Sequence, residues 1–292
     1  ALIVCADRMS NGPVVYYPDA TAPGGRGITE SWTLDNFGHD PYAKNAMIDT
    51  AENASARLGI GAAELNEVTL ARYAQYQAAL ADDRAFQRRY MVEAPLFDSG
   101  FRRQTGTLAA DEGIFPTTAE GLAKLKPVKP NGTHTFGTQT HPADGNAGMI
   151  VTTRELARAL SADSAIEVEL LGFGQARVDK GFMPLAPAPA AQVALQQAGL
   201  SIKDVDAVKS HNPFAANDIA FARDTGFPLE KMNNYGCSLI WGHPQGPTGL
   251  RSTIELIEEL ALRGGGVGLF TGCAAGDSGM ALVLRVREAA RK

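Results

Sequence analysis

A chain of 292 residues is long enough for one large hydrophobic core or two moderate ones. Its 45% hydrophobic and 20% charged content is ordinary for a globular protein. The net charge of -5, with no lysine- or arginine-rich run, argues against a nucleic-acid partner, because phosphate neutralisation needs a basic surface. An anionic small-molecule ligand is compatible with this charge, since a local basic pocket suffices. No stretch reaches the ~18 consecutive apolar residues of a membrane helix, and no basic-then-apolar leader opens the chain. Cys5, Cys237 and Cys273 are too few and too dispersed for a disulfide framework. With no CxxC pair and no HxxxH spacing, no metal site is expected, and a reducing, cytoplasmic compartment is.

Ala1-Leu2-Ile3-Val4-Cys5 reads as the middle of a buried strand, followed by a turn over Asp7 to Pro13. A lone strand cannot satisfy its backbone hydrogen bonds, so a further N-terminal segment is expected upstream. Residues 14–136 are polar and irregular, with turns such as Ala22-Pro23-Gly24-Gly25. Within them, helical periodicity predicts helices over Ala46–Leu58 and from Ala62 to about Ala81. Leu122–Pro130 reads as a short helix or loop closed by proline. This region has the texture of an insertion without a core of its own.

From residue 137 onward the rhythm is αβ. The pattern predicts a helix at Thr153–Leu160, a strand at Ile166–Gly174 and a helix at Pro187–Gly199 with a glycine cap. It then predicts a short strand at Val205–Val208 and a helix at Pro213–Thr225. Ser252–Arg263 reads as a helix whose buried face is Ile254, Ile257, Leu260 and Ala261. Val267–Phe270 and Met280–Val286 read as paired strands around a glycine-rich turn holding Cys273. Arg263-Gly264-Gly265-Gly266-Val267-Gly268 is no phosphate loop, because it follows a helix and precedes a strand.

Two segments carry candidate chemistry. His243 sits in Gly242-His243-Pro244-Gln245-Gly246, a tight turn with little bulk around it. Such a histidine is either satisfied by backbone or free to act as general base or oxyanion donor. Cys273 lies in Gly272-Cys273-Ala274-Ala275-Gly276-Asp277-Ser278-Gly279. A lone thiol is commonly inert core, but small neighbours let a substrate approach and leave backbone N–H groups free.

Together these segments resemble the C-terminal half of the thiolase family. Gly242-His243-Pro244 matches, and Cys273 stands six residues before Gly279, as the family spacing requires. The family's Asn-Glu-Ala-Phe motif falls on His211-Asn212-Pro213-Phe214. The likeness runs on through Thr50-Ala51-Glu52-Asn53, Leu122-Ala123-Lys124-Leu125-Lys126-Pro127, and Gly137 to Gly145. It implies an α/β, layered αβαβα thiolase-like fold, its C-terminal half complete and its N-terminal half partial. Residues 1–13 and 137–161 would be a remnant of the N-terminal domain, 14–136 a loop domain over the coenzyme A site, and 162–292 the C-terminal domain.

The same resemblance implies that Cys273 moves a proton at the α-carbon of an acyl-CoA. His243 would activate the nucleophile and hydrogen-bond the thioester oxygen. His211 replaces the usual asparagine, as it does in sterol-carrier-type and trifunctional-enzyme thiolases, and would hold a water of the oxyanion hole. Thr140 and Lys126 would contact coenzyme A, Met47, Met183 and Phe214 would line the thioester tunnel, and the Ala275 N–H would donate to an oxyanion. Coenzyme A thioesters enter as substrates, with no tightly bound cofactor, and a homodimer or tetramer is implied. His141 replaces a glycine of the family, while His39 and His134 give no signal.

Cys5, in an apolar strand without a helix N-terminus to lower its pKa, is a poor nucleophile, so the acyl-accepting cysteine is expected upstream of this chain. The implied activity is thiolytic cleavage of a 3-oxoacyl-CoA or the reverse Claisen condensation. The alternatives are a non-catalytic thiolase-like subunit that binds acyl-CoA or a partner protein, and a decarboxylating ketosynthase-like enzyme. The latter normally has two histidines and no cysteine at the Cys273 position.

Overall fold

The computed structural model describes residues 1–288; the last four residues of the domain assigned at 162–292 lie outside the described residues. In chain order, β1 (Leu2–Arg8) leads to the hairpin strands β2 (Val14–Tyr17) and β3 (Ile28–Ser31), then α1 (Trp32–Gly38). Helices α2 (Met47–Leu58) and α3 (Ala62–Ala79) follow, with the short turn α4 (Ala81–Arg84) and the hairpin β4 (Ala94–Phe97) and β5 (Gln104–Leu108). After α5 (Ala119–Ala123) come β6 (Asp144–Ile150), α6 (Arg154–Leu160), β7 (Ile166–Arg177) and α7 (Pro187–Gln197). The chain continues through β8 (Ala207–His211), α8 (Ala215–Thr225), α9 (Ser238–Trp241), α10 (Gly246–Leu262), β9 (Gly265–Ala274) and β10 (Ser278–Glu288).

The main sheet has the order β7-β10-β9-β8, antiparallel except for the parallel pair β8 and β9. Side chains alternate across its pleat. Val208, Leu269, Ala281 and Val283 face one side, packed with Ala190, Ala191 and Ala194 of α7 and Phe221 of α8. Ala207, Leu284 and Val286 face the other, against Leu256 and Leu260 of α10. Helix α10 also packs on β1 and β6, which pair antiparallel in a second sheet. The layers therefore run helices, sheet, helix, sheet.

Helix α2 opens with Asp49 accepting the Ala46 N–H at 3.1 Å and stops at Gly59, whose φ of 65° no β-carbon favours. Helix α3 buries Leu65, Val68, Thr69, Arg72, Tyr76 and Ala79, a helical stripe. That stripe meets Ile219 of α8 and Leu239 and Trp241 of α9. Helix α3, within residues 14–136, thus shares a core with the C-terminal helices α8 and α9.

Three expectations need correction. Leu2 and Val4, read as buried, are 72% and 64% exposed, because β1 has one strand partner among the described residues. The face foreseen for α10 is displaced: its buried residues include Ser252, Glu255, Leu256, Glu259 and Leu260, while Ile254, Ile257 and Ala261 are half-buried. A helix between two sheets is covered on two sides, and its glutamates are buried because they are paired. Glu255 meets Lys209 at 3.1 Å, Arg251 at 3.0 Å and the Tyr90 hydroxyl at 2.7 Å. Finally, Cys273 is in β9 itself, opposite Gly279 of β10, and the turn begins after Ala274. Small residues that read as a turn continue the ladder here, since backbone pairing needs no bulky side chain.

Candidate active site

The parallel pairing of β8 and β9 sends their C-terminal ends to the same edge of the sheet, the usual place for ligands in α/β folds. His211, the last residue of β8, lies opposite Gly272, one residue before Cys273. Phe214, Asn217 and α8 follow directly on β8 and cover this edge. Cys273 clusters with Ala51 of α2, Met183 and Phe214, with Met47 packed against them. Three tunnel candidates named from the sequence thus gather around the thiol.

The amide of Asn217 is oriented by its Oδ1, which accepts the Phe214 N–H at 3.2 Å. Its Nδ2 therefore points at the Cys273 sulfur, 3.3 Å away. Burial pushes the Cys273 thiol up to about 12, against the opposing Asn217 hydrogen bond. The resting group is a protonated thiol.

His243 is placed by a sharp turn. Gly242 has φ 93°, and a β-carbon there would come within 2.8 Å of the Ala143 Cβ. The His243 backbone N–H donates to the His141 carbonyl at 2.8 Å, and its Nδ1 meets Thr248 Oγ1 at 2.7 Å. The ring stacks on that of His211 with centroids 4.1 Å apart and planes at 27°. Burial lowers His243 to about 4, only partly opposed by Asp7. Burial, then the neighbouring His243, lowers His211 well below the ordinary histidine range. Both imidazoles are neutral near pH 7.

The segment 138–143 threads between the two histidine-bearing loops. Thr140 donates its N–H to the Pro213 carbonyl at 2.7 Å and its hydroxyl to the Ser238 carbonyl at 2.5 Å. His141 lies against Gly242 and edge-on to Phe115. Lys126 is exposed just beyond α5, and Ala275 is exposed in the turn after β9; neither is a member of the buried cluster around the thiol. His134, silent in the sequence, is buried, meets Ser55 at 2.9 Å and stands edge-on to Phe214.

Cys5 corrects one reading. A helix start does lie beside it: a β-carbon on Gly246, at the head of α10, would be 3.9 Å from the Cys5 Cβ. The Gly246 N–H is already taken, however, by Asp7 Oδ2 at 2.8 Å. Cys237 is buried outside the cluster around Cys273, its sulfur 3.2 Å from Asn212 Nδ2 and its thiol raised to about 11 by burial and the nearby Asp218.

Sequence reasoning passed over Ser238, Asn217 and Thr248, each bonded to a candidate catalytic side chain. Asn217 had a local signal, three residues after Phe214 at a helix start. Ser238 and Thr248 had none, because a hydroxyl in a glycine-rich stretch does not declare its partner.

Comparison with known proteins bears on the family. The family model described as thiolase, N-terminal domain, matches residues 1–155, and that described as thiolase, C-terminal domain, matches residues 165–286. Peroxisomal 3-ketoacyl-CoA thiolase A of Rattus norvegicus is 34% identical over 252 residues, covering 80% of this chain and 57% of that protein. The chain therefore spans little more than half the length of this relative. The crystal structure of human mitochondrial 3-ketoacyl-CoA thiolase superimposes with a TM-score of 0.86 at 27% identity, over 99% of this chain and 71% of that one. The same human enzyme in complex with CoA gives 0.84 at 28% identity, over 97% and 70%. No helix among the described residues is long and apolar enough to cross a membrane. Matched in order along both domains and superimposed over nearly its whole length, the chain belongs to the thiolase family.

Proposed function

We propose that this chain supplies the proton-transfer machinery of a thiolase-type acyltransferase acting on coenzyme A thioesters. The reaction is thiolytic cleavage of a 3-oxoacyl-CoA or its reverse, Claisen condensation. The observation that carries the reading is the stacked His211–His243 pair, one strand register from a thiol packed among Met47, Met183 and Phe214. Cys273, resting protonated, donates its proton to the carbanion released by cleavage, and as thiolate removes an α-proton in the condensation direction. Asn217 steadies the sulfur in either state. His243 hydrogen-bonds the thioester oxygen and serves the acyl-accepting thiol. Thr140, Lys126 and Ala275 make the polar contacts to coenzyme A, with residues 14–136 as the loop domain over it, as the family resemblance suggests.

Exchange of α-hydrogens needs no acyl-enzyme, so it tests the chain directly. Acetyl-CoA incubated with the protein in D2O should gain deuterium at its methyl carbon, read by mass spectrometry. Cys273→Ala and His243→Ala should each slow exchange by about 10²–10⁴-fold. Equal exchange in the native chain and both variants would refute the assignment.

A second reading, an acyl-CoA-binding subunit without turnover, draws on the other cysteines: Cys237 is engaged by Asn212 and Cys5 lies on β1, neither in the cluster around Cys273. Acyl-CoA binding with no deuterium gain in the native chain would select it.

A further inference from the structure

His211 is the site's departure from the asparagine pattern, and its surroundings determine which of its nitrogens carries the proton. The chain of reasoning starts at Asp218, fully buried on α8. Its carboxylate meets Arg72 Nε at 2.8 Å and accepts the Ser210 hydroxyl at 2.5 Å and Asn233 Nδ2 at 3.1 Å. Surrounded by donors, it can only accept. The Asn212 atom 2.7 Å from Asp218 Oδ2 is therefore the amide nitrogen. The Leu239 N–H, which can only donate, points at the other amide atom at 3.1 Å and fixes it as oxygen.

Ser238 Oγ lies 3.1 Å from that oxygen, so the serine proton belongs between them. The opposite arrangement would leave two oxygens facing each other with no hydrogen. A hydroxyl has one proton to give. With it spent, Ser238 Oγ accepts from the Asn212 N–H at 3.1 Å and from His211 Nδ1 at 2.9 Å. In a neutral imidazole the second nitrogen then carries a lone pair. No group among the described residues engages that second nitrogen.

We propose that Asp218, Asn212 and Ser238 form a relay that holds His211 as its Nδ1–H tautomer, so that Nε2 meets the substrate or its water as a proton acceptor. Resting on the acyltransferase reading, this makes His211 a base-side partner in the site and leaves oxyanion donation to His243 and backbone N–H groups. Ser238, Asn212 and Asp218 are positioning residues, acting through His211. The burial that keeps His211 neutral preserves the lone pair at neutral pH.

The test is the tautomer itself. In the chain labelled with ¹⁵N-histidine, two-bond ¹H–¹⁵N correlations distinguish protonated from bare ring nitrogens, and His211→Gln identifies which of the five rings is His211. The expected result at pH 7 is a protonated Nδ1 and a bare Nε2. Ser238→Thr, which keeps the hydroxyl, should retain this pattern, and Ser238→Ala should lose it to a mixture of tautomers. A protonated Nε2 in the native chain overturns the proposal, as does an unchanged Nδ1–H pattern in Ser238→Ala. If the alanine variant does not fold, the native spectrum decides alone. No substrate is needed, so the two readings fail separately. A chain inactive in deuterium exchange but showing Nδ1–H sinks only the function, and an active chain showing Nε2–H sinks only the relay.

Discussion

His243 and His211 are stacked at 4.1 Å, and burial disfavours a charge on either. The sign of the resulting pH dependence follows from linkage. In the unfolded chain an imidazole takes up its proton near 6.5, whereas folded His243 does so only at about 4. Between these values the unfolded state binds more protons, so stability falls as pH drops through the window and levels off below about 4. Replacing His243 with glutamine removes this contribution. Urea midpoints at pH 7 and pH 4.5 should therefore lie closer together in His243→Gln than in the native chain. An unchanged gap would mean that His243 titrates normally. On the proposed acyltransferase reading, the same shift keeps the basic form of the imidazole present well into the acidic range.

At the scale of elements, close approach of helix and sheet constrains β7. Gly172 and Gly174 face α7, and a β-carbon at Gly174 would press into the Ala190 carbonyl and the Ala194 N–H. Backbone cannot rotate away as a side chain can, so α7 would have to lift from the sheet. Gly174→Ala should cost about 1–3 kcal/mol by chemical denaturation, the usual range for overpacking. A variant as stable as the native chain would show that α7 is loosely seated. The alanine-rich face of α7, with Ala190, Ala191 and Ala194 fully buried, is the complementary half of this contact. Helix α10 follows a different rule: its buried glutamates are tolerated because Lys209, Arg251, Asn234 and Arg263 meet them.

Across the whole molecule, the buried Arg72–Asp218 pair ties α3, from the region assigned as loop domain, to the helix that follows the His211 strand. Arg72 also donates to the carbonyls of Leu229 and Met232, each at 3.0 Å. Truncating it strands a carboxylate with only neutral partners, Ser210, Asn212 and Asn233. Arg72→Ala should destabilise the fold by about 3–5 kcal/mol, as loss of one member of a buried pair does. Adding Asp218→Asn should recover part of that loss, because the orphaned charge is then gone. A loss below about 1 kcal/mol, the value of a surface pair, would show that Asp218 is not committed to Arg72.

Sequence alone located helices α2, α3, α6, α7, α8 and α10 and strands β1, β7, β8, β9 and β10 in their order, because hydrophobic periodicity and glycine and proline stops are local properties of the chain. Strands β2 to β6 and helices α1 and α9 were not read from it. It also singled out His243 and Cys273 from their glycine-rich segments, and the thiolase resemblance added His211 and the apolar trio Met47, Met183 and Phe214. Tertiary structure alone decided that these meet at one sheet edge, since that depends on β8 pairing parallel to β9. It also decided the partners of the candidate catalytic atoms: Ser238 lies 27 positions from His211, and Asn217 lies 56 from Cys273. A side-chain hydroxyl or amide carries no record in the sequence of the atom it will face. Only the packed fold assigns that atom and, through it, the proton on His211.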